Sequence, residues 1–159
     1  MGRWARFLAV IAGAGVLLTV AVPMVVRGAS LEDGKAAFER REDTMKHMGR
    51  PFYLGIGRVV KGTAAYGPDT VTAAETVASL ASTLDRTLFP AGSDVDGSKI
   101  KPEIFAAEDH VDQLIAAVKT ATAQLVPAVK TGDKAAIIAA YTAAADACNA
   151  CHTKFRKEE

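Results

Sequence analysis

The chain has 159 residues, half of them hydrophobic, with two cysteines, 6% aromatic residues and a formal net charge of +1. That length accommodates one domain of roughly 100–150 residues plus a short appendage. The charge balance excludes the footprint of a nucleic-acid binder and leaves no charged block for a disordered tail, while abundant alanine and few aromatics favour close-packed helices over strands.

The appendage is the N-terminus. Arg3 and Arg6 precede an uncharged run from Phe7 to Val26, followed by the small residues Gly28, Ala29 and Ser30. A basic start, an apolar stretch and small residues read as a secretory signal over residues 1–29. The run is also close to the ~20 residues that span a bilayer, so an uncleaved membrane anchor is the alternative. Both readings place residues 30–159 outside the cytoplasm, with Arg3 and Arg6 left inside. Those residues carry 16 basic and 18 acidic side chains, a formal −2.

Four helices are predicted beyond the leader. The first starts near Ser30, with Glu32 and Asp33 where a helix dipole favours acids. Phe38, Met45, Phe52 and Val59 recur every seven residues, with Met48 and Ile56 in the same stripe. Pro51 predicts a kink or break near Arg50, because proline lacks an N–H and crowds the carbonyl four residues back. Gly62 to Pro68 is a turn, and Asp69 or Thr70 is expected to cap a second helix with Ala73, Val77, Leu80, Leu84 and Leu88 inward. Phe89 to Pro102 reads as a long surface connection. Glu103 opens the third helix, which Pro127 should bend or end, with Val111, Leu114, Ile115, Val118 and Leu125 facing inward. Gly132 and Asp133 form a stop and a start, and the fourth helix carries Ile137, Tyr141, Ala144, Cys148, Cys151, His152 and Phe155. Four helices with two short links and one long one predict an all-α, antiparallel four-helix bundle with an up-down-up-down path.

Cys148-Asn149-Ala150-Cys151-His152 is a C-x-x-C-H sequence, the attachment signal for a covalent c-type haem. Residues i, i+3 and i+4 share one helix face, so two thiols and an imidazole point at one ligand. The thiols add to the haem vinyl groups and His152 becomes an iron ligand. A disulfide oxidoreductase pair is disfavoured because such cysteines sit at a helix N-terminus after a strand. A structural zinc site needs about four ligands, and neither His47 nor His110 has the paired spacing. Seven residues follow His152 and none is Met or His, so a ligand for the opposite haem face comes from upstream. His47 falls off the inner stripe, and His110 sits among Glu108, Asp109 and Asp112 in a solvated helix start. Met45 and Met48, three apart on the buried face, are the candidates; either also serves as core filling.

A C-terminal Cys-x-x-Cys-His on the last of four helices resembles the class II cytochromes c, the cytochrome c′ family. Cys148 to Arg156 (CNACHTKFR) is similar to the family's haem-binding end, Arg41 to Gly49 (REDTMKHMG) to its first-helix signature, and Leu88-Phe89-Pro90 and Lys101 to Ile104 to the stretches flanking the long connection. Phe105 departs from the family, which often has Trp there. Within the family, Met45 four residues after Arg41, followed by Lys46 and Gly49, resembles the low-spin cytochrome c-556 branch. The resemblance implies Met45 as distal ligand, Met48 and Phe52 as packing neighbours, Arg41 paired with a haem propionate, and Phe155 and Arg156 close to the proximal imidazole. It implies an electron-transfer protein rather than an enzyme, with transient redox donors and acceptors, homodimer formation as in many relatives, and membrane association if the leader is retained. Its rivals are a five-coordinate, high-spin haem binding NO or CO, and a membrane-tethered haem subunit of a larger redox complex.

Overall fold

A computed structural model of the protein describes residues 30–158; the leader lies outside the described residues. Four long helices pack as an antiparallel four-helix bundle, as the periodicity requires: α1 (Leu31–Arg50), α2 (Pro68–Ser82), α3 (Glu108–Lys130) and α4 (Lys134–Phe155). Among the described residues no helix is long and apolar enough to cross a membrane.

Helix α1 begins where its sequence directs. The Ser30 hydroxyl accepts from the Asp33 N–H at 3.1 Å, and the Asp33 carboxylate accepts from the Ser30 N–H at 3.1 Å, a reciprocal capping box. At Pro51 the helix does not break. The helix widens instead into a π-type turn over Pro51–Ile56 and returns to α-geometry over Gly57–Val60. A wider turn accommodates the proline ring without ending the helix, as single π-turns elsewhere do. It keeps Phe52 and Ile56 buried while Tyr53 and Leu54 face solvent.

Three other boundaries depart from the sequence reading. Helix α2 starts at Pro68 rather than after Asp69, because proline's fixed φ and missing N–H suit the first helical position. Pro102–Ala106 forms a tight 3-10 turn, and α3 starts only at Glu108. Pro127 does not end the helix early: α3 continues to Lys130. Pro127 and Ala123, whose carbonyl loses its partner, both face water, which solvates the orphaned oxygen. The turn into α4 matches its sequence: Gly132 takes φ 69°, and the Asp133 carboxylate accepts from the Ala136 N–H at 2.7 Å.

Two apolar clusters form the interior. The larger runs between all four helices through Phe52, Ile56, Val77, Leu125, Val129, Ile137 and Ala144. The smaller joins Ile100 and Ile104 of the long connection to Val111 and Phe155 at one end of the bundle. The connection is therefore not a surface loop throughout. Ser93 is fully buried, Ser98 and Ile100 nearly so, and its last residues pair with the end of α4.

Candidate functional site

At the end of the bundle where the two clusters meet, α1, α4 and the long connection enclose a cavity of about 440 Å³. That lies within the range of ~300–1,000 Å³ common for cofactor sites. Cys148, Cys151 and His152 line it from the last turns of α4. Arg41, Met45, Met48 and Phe52 line it from α1 and the π-turn, while Phe155 and Arg156 close the end of α4. All nine residues singled out in the sequence thus face one space.

The chemistry of the α4 face fits thioether attachment better than thiol redox. Burial pushes the Cys148 thiol pKa up, and burial followed by the proximity of Cys148 does the same for Cys151. Thiols held protonated are poor candidates for the low-pKa thiolate of an oxidoreductase. Burial first, and the Arg156 charge second, push the His152 pKa down. A neutral imidazole keeps a nitrogen lone pair for a metal. Among the described residues no group of three or more His, Cys, Asp or Glu is arranged to hold a bare metal ion.

The opposite wall belongs to α1. Met45 is half-buried and Met48 is 7% exposed, packed in the larger cluster with Phe52. Both methionines lie in regular α-helix, because the π-turn begins only at Pro51. His47 is exposed and its ring meets Asp43 of the preceding turn at 3.1 Å, away from the site. His110 is not fully solvated as expected: it is half-buried, its ring 6.0 Å from that of Phe155, but it does not line the cavity.

Arg41 is 5% exposed, and its terminal nitrogens are taken by the connection. Nη1 donates to the Leu88 carbonyl at 2.6 Å and to Ser93 Oγ at 3.1 Å; Nη2 donates to the Ser93 carbonyl at 2.9 Å and to Ser98 Oγ at 3.0 Å. Burial lowers its pKa, with the Asp94 charge acting the other way. The four contacts hold the loop against the cavity, so the terminal nitrogens are not free for the propionate that the resemblance implied. Sequence reasoning missed this lock, since nothing local marks Ser93 or Ser98 as partners of a residue some 50 positions earlier. It also missed Phe38, Tyr53, Phe89, Lys99, Ile100 and Ile104 as lining residues. A second support sits behind the wall. Tyr141 stacks on Phe52 with ring centroids 4.4 Å apart, and its hydroxyl occupies the space that a side chain at Gly57 would need.

The comparisons with known proteins agree with this geometry. The family model described as Cytochrome C′ matches residues 36–156. Among solved structures, an Arg-to-Lys variant of cytochrome c prime from Alcaligenes xylosoxidans, ferrous with bound NO, is 25% identical with a TM-score of 0.69, covering 79% of this chain and 97% of that one. A carbon-monoxide-bound variant of the same protein is 27% identical, with a TM-score of 0.69 and coverage of 82% and 98%. A cytochrome c′ described as having ligand-controlled dimer dissociation shares the fold, with a TM-score of 0.72, 24% identity and coverage of 79% and 97%. No curated protein sequence matches the chain.

Proposed function

The chain belongs to the cytochrome c′ family, and on that premise we propose that residues 30–159 form a periplasmic single-electron carrier with His152 and Met45 as the two iron ligands. Its cofactor is the family's one covalent haem c, which supplies a reversible one-electron couple at its iron. Cys148 and Cys151 hold it through thioethers, and neutral His152 offers its ring nitrogen from the same helix face. Met45 presents a thioether from the facing helix, which favours the ferrous state relative to a second imidazole. Phe52, Met48 and Phe155 exclude water, and low polarity disfavours the more charged ferric centre. Arg41 contributes a fixed positive charge while holding the connection in place. Residues 1–29 are the export leader, cleaved or kept as an anchor, and transient redox partners are the other half of the function.

The observation that carries this reading is Met45 itself, a thioether in the cavity wall on the helix facing His152. The comparisons favour a second reading, because relatives at 25% and 27% identity hold NO and CO. In that reading Met45 packs without ligating, the iron is five-coordinate, and the protein binds small gases. Homodimerisation, relevant to the relative with ligand-controlled dimer dissociation, is compatible with both.

Absorption spectra of both oxidation states, with and without CO, separate the two. The carrier reading expects a low-spin spectrum and slow CO binding, with Met45→Ala turning high-spin and CO-reactive. Rapid CO binding by the unsubstituted protein overturns it in favour of gas binding. An unchanged Met45→Ala spectrum together with a high-spin Met48→Ala transfers the ligand to Met48.

A further inference from the structure

The π-turn over Pro51–Ile56 is closed by a hydrogen bond of its own kind: the Gly57 N–H donates to the Phe52 carbonyl, five residues back. Tyr141 of α4 packs against both residues of that bond. Its ring stacks on Phe52 with centroids 4.4 Å apart and planes 14° from parallel, and its hydroxyl lies 2.7 Å from where a Gly57 Cβ would stand. Gly57 has φ −60°, a backbone conformation open to any residue, and glycine weakens a helix relative to alanine. What glycine supplies at this position is therefore the space for Tyr141. π-Turns inside α-helices occur frequently at functional sites.

Tyr141 does not line the cavity, but Phe52 does, with Met48 one turn and Met45 two turns before it on α1. The Phe52 ring is buried between two aromatic neighbours. Tyr53 meets it edge-on at 5.2 Å and faces solvent, so it offers a weak stop, whereas the half-buried Tyr141 covers its face. Tyr141 also stands two helical turns before Cys148 on the same side of α4. The helix that carries the attachment residues thus fixes, through one ring, how far the opposite wall stands from them. A stacked aromatic pair is strong enough to hold a local opening equilibrium by about threefold to tenfold.

We propose that Tyr141 is a positioning residue for the iron site: by clamping the π-turn it holds the Phe52 ring in the cavity wall and limits the approach of an outside ligand to the iron. This role rests on the haem-binding reading above and holds whether or not Met45 is bound to iron. The test is the CO association rate of the reduced, haem-loaded protein. Tyr141→Leu should raise that rate about threefold or more, while Tyr141→Phe, which keeps the ring, should stay within about twofold of the parent. In a Phe52→Leu background, Tyr141→Leu should add less than about twofold, as a residue acting through Phe52 must. Gly57→Ala, which presses on the tyrosine from outside the cavity, should also raise the rate, and Gly57→Ala/Tyr141→Phe should restore it. Val129→Ala, at a buried position outside the cavity, should lower Tm and leave the rate unchanged. A Tyr141→Leu rate matching the parent, a Tyr141→Phe rate matching Tyr141→Leu, or equal acceleration by Val129→Ala overturns the clamp. Should Tyr141→Leu fail to load haem, Gly57→Ala with and without Tyr141→Phe decides by the same criteria. The parent's own spectrum decides the iron ligand, and only the ratio of variant to parent bears on Tyr141.

Discussion

Replacing Arg41 by methionine keeps an unbranched apolar stem in the same place and removes only the guanidinium. Four hydrogen bonds to Leu88, Ser93 and Ser98 go with it, and Ser93 and Ser98 are 0% and 5% exposed, so the acceptors do not regain water freely. Hydrogen bonds to a charged group contribute about 1.5–3 kcal/mol each. They share one cation, and the variant no longer bears the cost of burying that charge, so the net loss is nearer ~3 kcal/mol than the sum. With an unfolding entropy of about 2.1 cal/mol/K per residue over roughly 130 residues, that lowers Tm by about 10 °C. Thermal unfolding of the haem-loaded protein followed by circular dichroism measures the shift, and limited proteolysis between 89 and 101 should quicken in parallel. Arg41→Lys should recover less than half, because one ammonium cannot reach four acceptors spread around a planar fork. A Tm within 2 °C of the parent for Arg41→Met would refute the lock.

Gly57→Ala places a methyl 2.7 Å from the Tyr141 hydroxyl, and should cost about 1–3 kcal/mol by overpacking; urea unfolding should show most of that loss recovered when Tyr141→Phe is added, and a non-recovering double variant removes the contact as the cause. Asp33 and Asp85 have folded pKa values lowered first by hydrogen bonds from the side chains of Ser30 and Thr87. Their contribution is therefore fully present above the unfolded value near 3.8 and lost as pH falls through the lower folded values. Asp33→Asn/Asp85→Asn should flatten the stability-versus-pH curve below about pH 4, and an unaltered slope there contradicts the assignment.

The C-x-x-C-H signal was legible because its geometry is local: three side chains within five residues share a helix face whatever surrounds them. The same holds for the helix start near Ser30, the Gly132-Asp133 stop and start, and the stripes that make four helices amphipathic. A helix break at either proline was not decidable from sequence, because it depends on exposure and on whether a turn can widen. Pro51 is absorbed by a π-turn, and Pro127 by water around the carbonyl of Ala123.

By itself, then, the sequence pointed to four helices, a C-x-x-C-H motif on the last of them and two methionines as candidates for the facing wall; the leader it suggests lies outside the described residues. Tertiary structure alone decided that both methionines precede the π-turn and border the cavity, that Arg41 bonds to Ser93 and Ser98, and that the end of the long connection pairs with the end of α4. The division is physical. Helical periodicity and a five-residue motif are set by neighbours along the chain, whereas a buried cation's acceptors depend on segments some 50 residues apart meeting in space.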